Sequence, residues 1–153
     1  MEMGTKKHER LLILHVEDDD AHAELVKRSF TESPIPTTIL RAIDGQDALD
    51  FLEHKGKYEA APPPRPTLVL LDLQIPKVDG LHVLKRIKES ENLKTIPVVI
   101  LSTSSADSDL LAAYSSYVNS YLVKPVDFSG FSDVMNKLGD YWATLNYSLS
   151  DVQ

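Results

Sequence analysis

Short apolar runs alternate along this chain with segments whose apolar residues recur at helical spacing. The runs are rich in valine, isoleucine and leucine, and they lie at Leu11–Val16, Thr37–Ile43, Thr67–Leu71, Pro97–Leu101 and Ser120–Val123. Apolar runs of about four to eight residues are typical of strands that are buried on both faces of a parallel sheet. The pattern therefore predicts five buried parallel strands.

Between these runs, apolar residues recur at positions i, i+3 and i+4, as they do in helices with one buried face. The last of these segments is the longest, and it contains Phe128, Phe131, Met135, Leu138, Trp142 and Leu145. Strands that alternate with helices favour right-handed crossovers and a parallel sheet with helices on both faces. We therefore expect an α/β fold with a (βα)5 order. A helix bundle is the weaker alternative, because the apolar runs are too short for buried helices.

The composition fits one globular domain. The chain has 153 residues, of which 42% are hydrophobic and 25% charged, and this excludes a wholly disordered, collagen-like or coiled-coil chain. Its net charge of −7 provides no overall attraction to nucleic acid or anionic lipid. Cysteine is absent, which excludes disulfides, thiolate metal sites and cysteine nucleophiles. No apolar run is long enough to span a membrane and residues 1–10 lack a signal-peptide core, so we expect a cytoplasmic protein.

Chemically useful side chains follow four of the five predicted strands. Glu17 and Asp18 come after the first strand, Asp72 after the third, Ser102 after the fourth and Lys124 after the fifth. In an open parallel sheet, ligands bind beyond the carboxyl ends of the strands. The sequence therefore predicts that these five residues form one site at that edge.

The residue types at this edge suit phosphoryl transfer. Three carboxylates close together repel one another unless a cation lies among them, and oxygen ligands without histidine or cysteine favour Mg²⁺. Asp72 follows a purely apolar strand and is the best candidate nucleophile. Mg²⁺ and Lys124 would neutralise the oxygens of an incoming phosphoryl group, and Ser102 would donate a hydrogen bond to one of them.

Four motifs in this order carry a family resemblance: VEDD at 16–19, LLDLQIPKVDG at 70–80, PVVILST at 97–103 and YLVKP at 121–125. Over about residues 11–138 the chain resembles the receiver domain of a two-component response regulator. The resemblance implies a flavodoxin-like, doubly wound sheet with strand order 2-1-3-4-5. We expect a flexible N-terminus at 1–10, the receiver domain at 11–145 and a C-terminal tail at 146–153. The Lys124–Pro125 bond is similar to one that is cis in this family.

The resemblance also implies the acceptor and the metal ligands. Asp72 matches the residue that accepts the phosphoryl group from a sensor histidine kinase. Glu17 and Asp18 match the acidic pair that binds Mg²⁺ together with Asp72, and Gln74 lies where a backbone carbonyl completes the set. Such a module is not an enzyme, since only self-phosphorylation and slow autodephosphorylation are expected of it.

The same family pattern implies a switch. Ser102 matches the switch hydroxyl, Tyr121 the aromatic switch residue and Lys124 the lysine that contacts the phosphoryl group. Gln74 and Ser104 match the positions that tune dephosphorylation. Phosphorylation of the acceptor is expected to draw Ser102 inward, with Tyr121 following, and so to remodel a surface that binds partners.

A finer resemblance concerns the partners. The proline-bearing loop before the third strand, the segment 112–131 and the sequence DYWATLN at 140–146 look like the stand-alone regulators of bacterial phytochrome-type histidine kinases. We also expect a homodimer that uses the fourth helix, fifth strand and fifth helix, with Tyr141, Trp142 and Leu145 at its interface, because late aromatic residues exceed what a buried stripe requires.

Two other functions compete with this interpretation. A phosphatase of the haloacid-dehalogenase type also uses an aspartyl nucleophile and Mg²⁺, but that class has a second aspartate two residues later, where this chain has Gln74. A receiver that serves only as a scaffold is disfavoured because all the site residues are present. Output is expected through a partner protein or a phosphorelay, since no basic recognition helix follows Leu138. His15 is predicted to be structural, and the spacing of His22 suggests no metal site.

Overall fold

A parallel sheet with strand order β2-β1-β3-β4-β5 organises the computed structural model, which describes residues 10–33, 35–125 and 127–142. The strands are β1 (Leu11–Val16), β2 (Thr37–Ala42), β3 (Leu68–Leu71), β4 (Val98–Ser102) and β5 (Ser120–Val123). Every neighbouring pair is parallel. The predicted (βα)5 order and the strand order 2-1-3-4-5 are confirmed.

The helices follow the strands in alternation. They are α1 (Asp20–Thr31), α2 (Gly45–Glu53), α3 (Gly80–Glu89), α4 (Asp107–Ser115) and α5 (Phe128–Asp140), and a short 3-10 turn lies at Gly56–Tyr58. In α1, α2, α3 and α5 the residue before the helix is an aspartate whose carboxylate accepts a backbone N–H of the first turn. The residue before α4 is Ala106, which has no such side-chain bond. The β4–α4 loop must therefore hold the start of α4 in another way.

Two apolar cores cover the two faces of the sheet. In β1, Leu11 and Ile13 pack toward α1 and α5, whereas Leu14 and Val16 pack toward α2, α3 and α4. This alternation follows from the two-residue period of a strand. It places His15 on the same face as α1 and α5.

The prediction that all five strands are buried on both faces is right for the middle of the sheet and wrong for its edges. All residues of β3 and β4 are buried. Most residues of β2 are half-buried, and β5 ends on the exposed Val123. The reason is that each edge strand has a neighbour on one side only.

Lys88, in α3, makes hydrogen bonds to residues just before β4 and β5. Its Nζ donates to Asn119 Oδ1 at 2.8 Å and to the carbonyls of Lys94 and Ile96 at 3.3 Å each. Asn119 Oδ1 also accepts the backbone N–H of Val98 at 2.9 Å. Partial burial lowers the pKa of Lys88. The residue just before β5 is thus tied both to α3 and to the first residue of β4.

The remaining expectations about the chain concern its connections and its ends. The Lys124–Pro125 bond is trans, because the described residues contain no cis peptide, so the cis bond implied by the resemblance is not observed. The predicted flexible N-terminus, apart from Arg10, lies outside the described residues, as do Leu145 and the predicted tail at 146–153. In the part of the chain that the structure describes, no helix combines the length and apolarity needed to cross a membrane.

Candidate functional site

Three buried charged side chains meet beyond the carboxyl ends of the strands. Glu17 directly follows β1, Asp72 directly follows β3 and Lys124 directly follows β5. The Lys124 ammonium donates to Glu17 Oε1 at 2.7 Å and to Asp72 Oδ2 at 2.8 Å. The Glu17 side chain is 1% exposed and that of Lys124 is 4% exposed. Residues far apart in the sequence therefore form one ion-paired site, which contains three of the five residues predicted to lie at this edge.

The protonation of this site follows from burial and pairing. Burial raises the pKa of Glu17 to about 7, with the Asp72 charge acting in the same direction and the hydrogen bond from Lys124 opposing it. For Lys124, burial lowers the pKa, but the hydrogen bonds to Asp72 and Glu17 outweigh it, so that its pKa is raised. Lys124 is therefore positively charged, and its ammonium group pairs with both carboxylates.

The backbone around Asp72 is held on both sides. Its N–H donates to the carbonyl of Val16 at 3.1 Å, and its Oδ1 accepts the N–H of Gln74 at 3.0 Å. The loop after β3 then folds back so closely that a Cβ on Gly80 would overlap the Asp72 carbonyl and the Leu73 backbone. Only glycine fits there without a shift of the loop. The carboxylate of Asp72 thus projects from a fixed backbone.

The group of ligand-type atoms at the site differs from the predicted one. One atom each from Glu17, His22 and Asp72 lies within 4.8 Å of the others, whereas Asp18 is exposed and is not part of this group. The two buried carboxylates carry more negative charge than Lys124 alone can offset, and their oxygens suit a hard divalent cation. The residues therefore fit such an ion, with Asp18 beside them as a further oxygen donor.

The β4–α4 loop connects the site to α4 and β5. Ser102 Oγ, at the buried end of β4, accepts the N–H of Ser104 at 3.1 Å. Ser104 Oγ donates to Asp109 Oδ2 at 2.6 Å and accepts the N–H of Ala106 at 3.2 Å, which holds the start of α4. The hydroxyl of Tyr121 donates to the carbonyl of Ser104 at 2.8 Å. Hydrogen bonds thus join the predicted switch residues through one short loop.

Large apolar side chains are exposed on α4, in the turn after it, at the end of β5 and directly after α5. These residues, which define the α4–β5–α5 face, are Leu111, Tyr114, Tyr117, Val123 and Tyr141. Tyr141 packs edge-on against Trp142, with ring centroids 5.2 Å apart. A groove beside these two residues is lined by Leu122, Val134 and Leu138. The described part of the chain leaves this face uncovered.

The structure agrees with what the sequence suggested for His15 and adds an unexpected contact for His22. His15 is buried, and burial followed by the charge of Lys124 lowers its pKa to about 3, which agrees with the predicted structural role. The spacing of His22 suggested no metal site and gave no sign of another role, but its Nδ1 lies 2.9 Å from Lys124 Nζ, at the ion-paired site. The usable signal was its position in the first turn of α1, which begins at the same edge of the sheet.

Comparison with known proteins gives a consistent result. The sequence profile of the response regulator receiver domain matches residues 13–136. The chain is 46% identical over 138 residues to the probable methanogenesis regulatory protein FilR2 of Methanothrix harundinacea, covering 90% of this chain and 86% of that protein. It is 38% identical over 140 residues to the response regulator Rcp1 of Synechocystis sp., covering 92% and 94%.

Solved structures agree with this result. The phosphorylated cyanobacterial phytochrome response regulator RcpA matches with a TM-score of 0.86 and 34% identity, over 92% of this chain and 99% of that one. The Mn²⁺-bound form of Rcp1 matches with a TM-score of 0.84 and 38% identity, over 90% and 98%. The similarity thus extends to nearly the whole of each of these chains.

Proposed function

Since this chain belongs to the response regulator receiver domain family, we propose that Asp72 accepts a phosphoryl group from a phosphohistidine of a sensor histidine kinase. The bond between phosphorus and the histidine nitrogen breaks, the nitrogen keeps the electron pair, and a bond forms to a carboxylate oxygen of Asp72. The observation that carries this proposal is the Lys124 ammonium, which contacts Asp72 and Glu17 at once.

Lys124 and Ser102 stabilise the transferred group in this proposal. The ammonium lies 2.8 Å from Asp72 Oδ2, where it can neutralise charge on phosphoryl oxygens attached to that carboxylate. Ser102 Oγ is held by the N–H of Ser104, and its own O–H can be donated to a phosphoryl oxygen. The Lys124 ammonium already contacts Asp72 and needs little reorganisation when the phosphoryl group arrives, whereas Ser102 has to move toward it.

Mg²⁺ is the proposed cation of the site. Glu17, Asp18 and Asp72 would hold it with the backbone carbonyl of Gln74, and its charge would neutralise oxygens of the phosphoryl group. Support comes from the buried carboxylates that Lys124 does not fully offset and from the similar protein Rcp1, which has been solved with Mn²⁺. Oxygen ligands alone favour Mg²⁺ among the biologically common ions.

The phosphorylation signal would leave the site through the β4–α4 loop. A move of Ser102 toward the phosphoryl group displaces Ser104, whose carbonyl accepts the Tyr121 hydroxyl and whose hydroxyl donates to Asp109. The α4–β5–α5 face would then shift between two populated states. Gln74 and Ser104 are proposed to tune slow autodephosphorylation, and the bond from Ser104 to Asp109 limits how far its hydroxyl can serve a water near Asp72.

Two partners complete the proposal. The kinase is proposed to be of the phytochrome type, since RcpA is a phytochrome response regulator with 34% identity to this chain. A second copy of the chain is proposed to bind the α4–β5–α5 face, with Tyr141, Trp142 and Leu145 in the interface. The cytoplasmic location and the boundaries at 10 and 145 stay predictions.

Phosphorylation is tested with acetyl phosphate or phosphoramidate. Incubation with Mg²⁺ followed by intact mass measurement is expected to show one added phosphoryl group on the wild-type protein and none on Asp72→Asn. Asp79→Asn is a matched control, because asparagine can also cap α3 and the residue lies on the same loop. No adduct on the wild type would favour a scaffold, and an adduct that persists in Asp72→Asn would contradict the proposed acceptor.

Dimer formation is tested by sedimentation velocity at tens of micromolar. The wild-type protein is expected to sediment as a dimer, Tyr141→Ser as a monomer, and Asp133→Ser as a dimer, because Asp133 is an exposed residue of α5 outside the groove. A single species of about 17 kDa in the wild type would reject the dimer.

A further inference from the structure

All three N–H donors of the Lys124 ammonium have an acceptor. Two of these are Glu17 Oε1 and Asp72 Oδ2, and the third is His22 Nδ1 at 2.9 Å. An ammonium group can only donate, so His22 Nδ1 must accept with its lone pair. In the tautomer that accepts in this way, the imidazole carries its proton on Nε2. The same Nδ1 lies 3.7 Å from Glu17 Oε1.

The start of α1 places His22 at this position. The Asp19 carboxylate accepts the backbone N–H of His22 at 3.0 Å, which fixes the first turn of the helix directly after β1. The His22 side chain is 36% exposed, whereas that of Glu17 is 1% exposed. The imidazole thus lies at the boundary between the buried ammonium and the solvent.

We infer that His22 is a positioning residue, which orients the Lys124 ammonium toward phosphoryl oxygens on Asp72. This inference rests on the proposed function. When an oxygen of Asp72 bonds to phosphorus, the N–H that Asp72 accepts turns to a phosphoryl oxygen. The other two N–H groups remain on Glu17 and His22. Of the three acceptors, His22 is the one that neither receives the phosphoryl group nor belongs to the proposed cation ligands, so it can hold the lysine in both states.

A transition-metal site is the alternative for this group of residues. Glu17, His22 and Asp72 have suitable ligand atoms within 4.8 Å of one another. However, all three atoms contact the same ammonium nitrogen at 2.7 to 2.9 Å. A metal ion among them would have to displace this buried positive charge. The geometry therefore favours an ammonium site.

The test compares two variants of His22 with a matched control. In His22→Asn the side-chain carbonyl replaces Nδ1 as an acceptor, and in His22→Leu no acceptor remains. His82→Leu is the control, because His82 occupies the same position in α3: Asp79 accepts its N–H at 3.0 Å and its side chain is exposed. If His22→Leu does not fold, His22→Gln, whose acceptor lies one bond further out, takes its place.

Two measurements are made on each protein. The rate of phosphorylation by phosphoramidate with Mg²⁺ is expected to fall about tenfold in His22→Leu, as for one lost hydrogen bond to a charged group. It is expected to recover to within about threefold in His22→Asn and to stay unchanged in His82→Leu. The ¹⁵N ammonium signal of Lys124, assigned with Lys124→Met, is recorded without Mg²⁺ and is expected to shift or broaden in His22→Leu only.

The outcomes separate this inference from the proposed function. A wild-type phosphorylation rate and an unchanged ammonium signal in His22→Leu would overturn the role of His22 and leave phosphorylation of Asp72 standing. A wild-type protein that takes no phosphoryl group would overturn both the proposed function and the role that rests on it, even if the ammonium signal depended on His22. Loss of that signal with one equivalent of Zn²⁺ but not with one equivalent of Mg²⁺, together with weaker Zn²⁺ binding in His22→Leu, would support the metal alternative and overturn the inference.

Discussion

The ion-paired site buries charged side chains, whereas the α4–β5–α5 face exposes apolar ones. At the site, Glu17, Asp72 and Lys124 are charged groups in the interior, where an unpaired charge is costly. On the face, Leu111 is 71% exposed and Tyr117 is 78% exposed, although large apolar groups are usually covered. Both departures lie within one small domain, on either side of the β4–α4 loop.

The two regions differ in whether contacts within the domain offset the cost of this unusual burial or exposure. The charges of the site are partly compensated by one another, since Lys124 contacts both carboxylates. The apolar side chains of the face find no comparable cover in the part of the chain that the structure describes. The site is therefore understandable from its own contacts, whereas the face points to a partner surface.

Lys124→Met removes the positive charge of the ion-paired site and is expected to have the largest effect on the free energy of unfolding. Removal of one partner leaves two buried carboxylates uncompensated, and the free energy of unfolding at pH 8 without Mg²⁺ should fall by about 3 kcal/mol. The loss should be smaller at pH 6, because Glu17, whose pKa burial already raises to about 7, then binds a proton. Denaturant unfolding at the two pH values measures both.

The control for this change is Lys137→Met. Lys137 pairs with Asp133 at 3.2 Å on the exposed side of α5, and such pairs contribute no more than about 0.5 kcal/mol. Equal losses for the two lysines would mean that burial of the site charges has no energetic weight.

Replacing His15 tests how far burial lowers the pKa of a histidine near the site. Burial, followed by the charge of Lys124, lowers its pKa from 6.5 to about 3, so only the unfolded chain binds this proton between those values. Stability due to His15 is present above pH 6.5 and falls as the pH decreases toward 3, by about 1.4 kcal/mol per pH unit. In His15→Leu, the slope of unfolding free energy between pH 6.5 and 4.5 should decrease by that amount. An unchanged slope would show that His15 is charged in the folded protein.

Tyr121→Phe changes the β4–α4 loop, which connects the ion-paired site to the α4–β5–α5 face. It removes the bond from the hydroxyl to the Ser104 carbonyl, and stability should fall by about 1 kcal/mol. Hydrogen exchange of the amides of residues 103–106 should increase in the variant if this bond holds the loop. Tyr114→Phe is the control, because Tyr114 is an exposed tyrosine of the neighbouring helix. Exchange that rises equally in both variants would exclude a special role for Tyr121.

The smallest effect on folding is expected from the exposed face itself. The double change Leu111→Ser and Tyr114→Ser should alter the free energy of unfolding by no more than about 0.5 kcal/mol, measured on the monomer at low concentration. The same variant should lose self-association in sedimentation experiments. A large loss of monomer stability would mean that these side chains belong to the core, and the comparison would then fail.

The fold was largely predictable because its strands are short and apolar. The limits of β1 and β5 match the predicted runs. The second predicted strand ends one residue too late, at Ile43, which is 54% exposed and follows β2. An apolar side chain by itself does not show whether its neighbours cover it, and edge strands are where this matters.

The site was predictable where it depends on strand ends and less so where it depends on helix rotation. The strand order places Glu17 and Asp72 at the ends of neighbouring strands, and the long side chain of Lys124 reaches both of them from the end of β5. The contact between His22 and Lys124 joins residues 102 positions apart, and it depends on how the first turn of α1 is rotated relative to β5. Asp18, which lies between β1 and α1, is exposed although it was predicted to join the site. Neither is visible in the spacing of the sequence.

The bonds of Lys88 and Asn119 have a mechanical consequence for β5. The strand is tied down at its amino end, through Asn119, to both α3 and β4. Its other end leads to Lys124, whose ammonium contacts change in the proposed reaction. β5 also pairs with β4 as far as Val123, and the Lys124 N–H donates to the Ser102 carbonyl at 2.8 Å. A pull on the Lys124 side chain would therefore act on β4 and β5 together, against an anchor at Asn119.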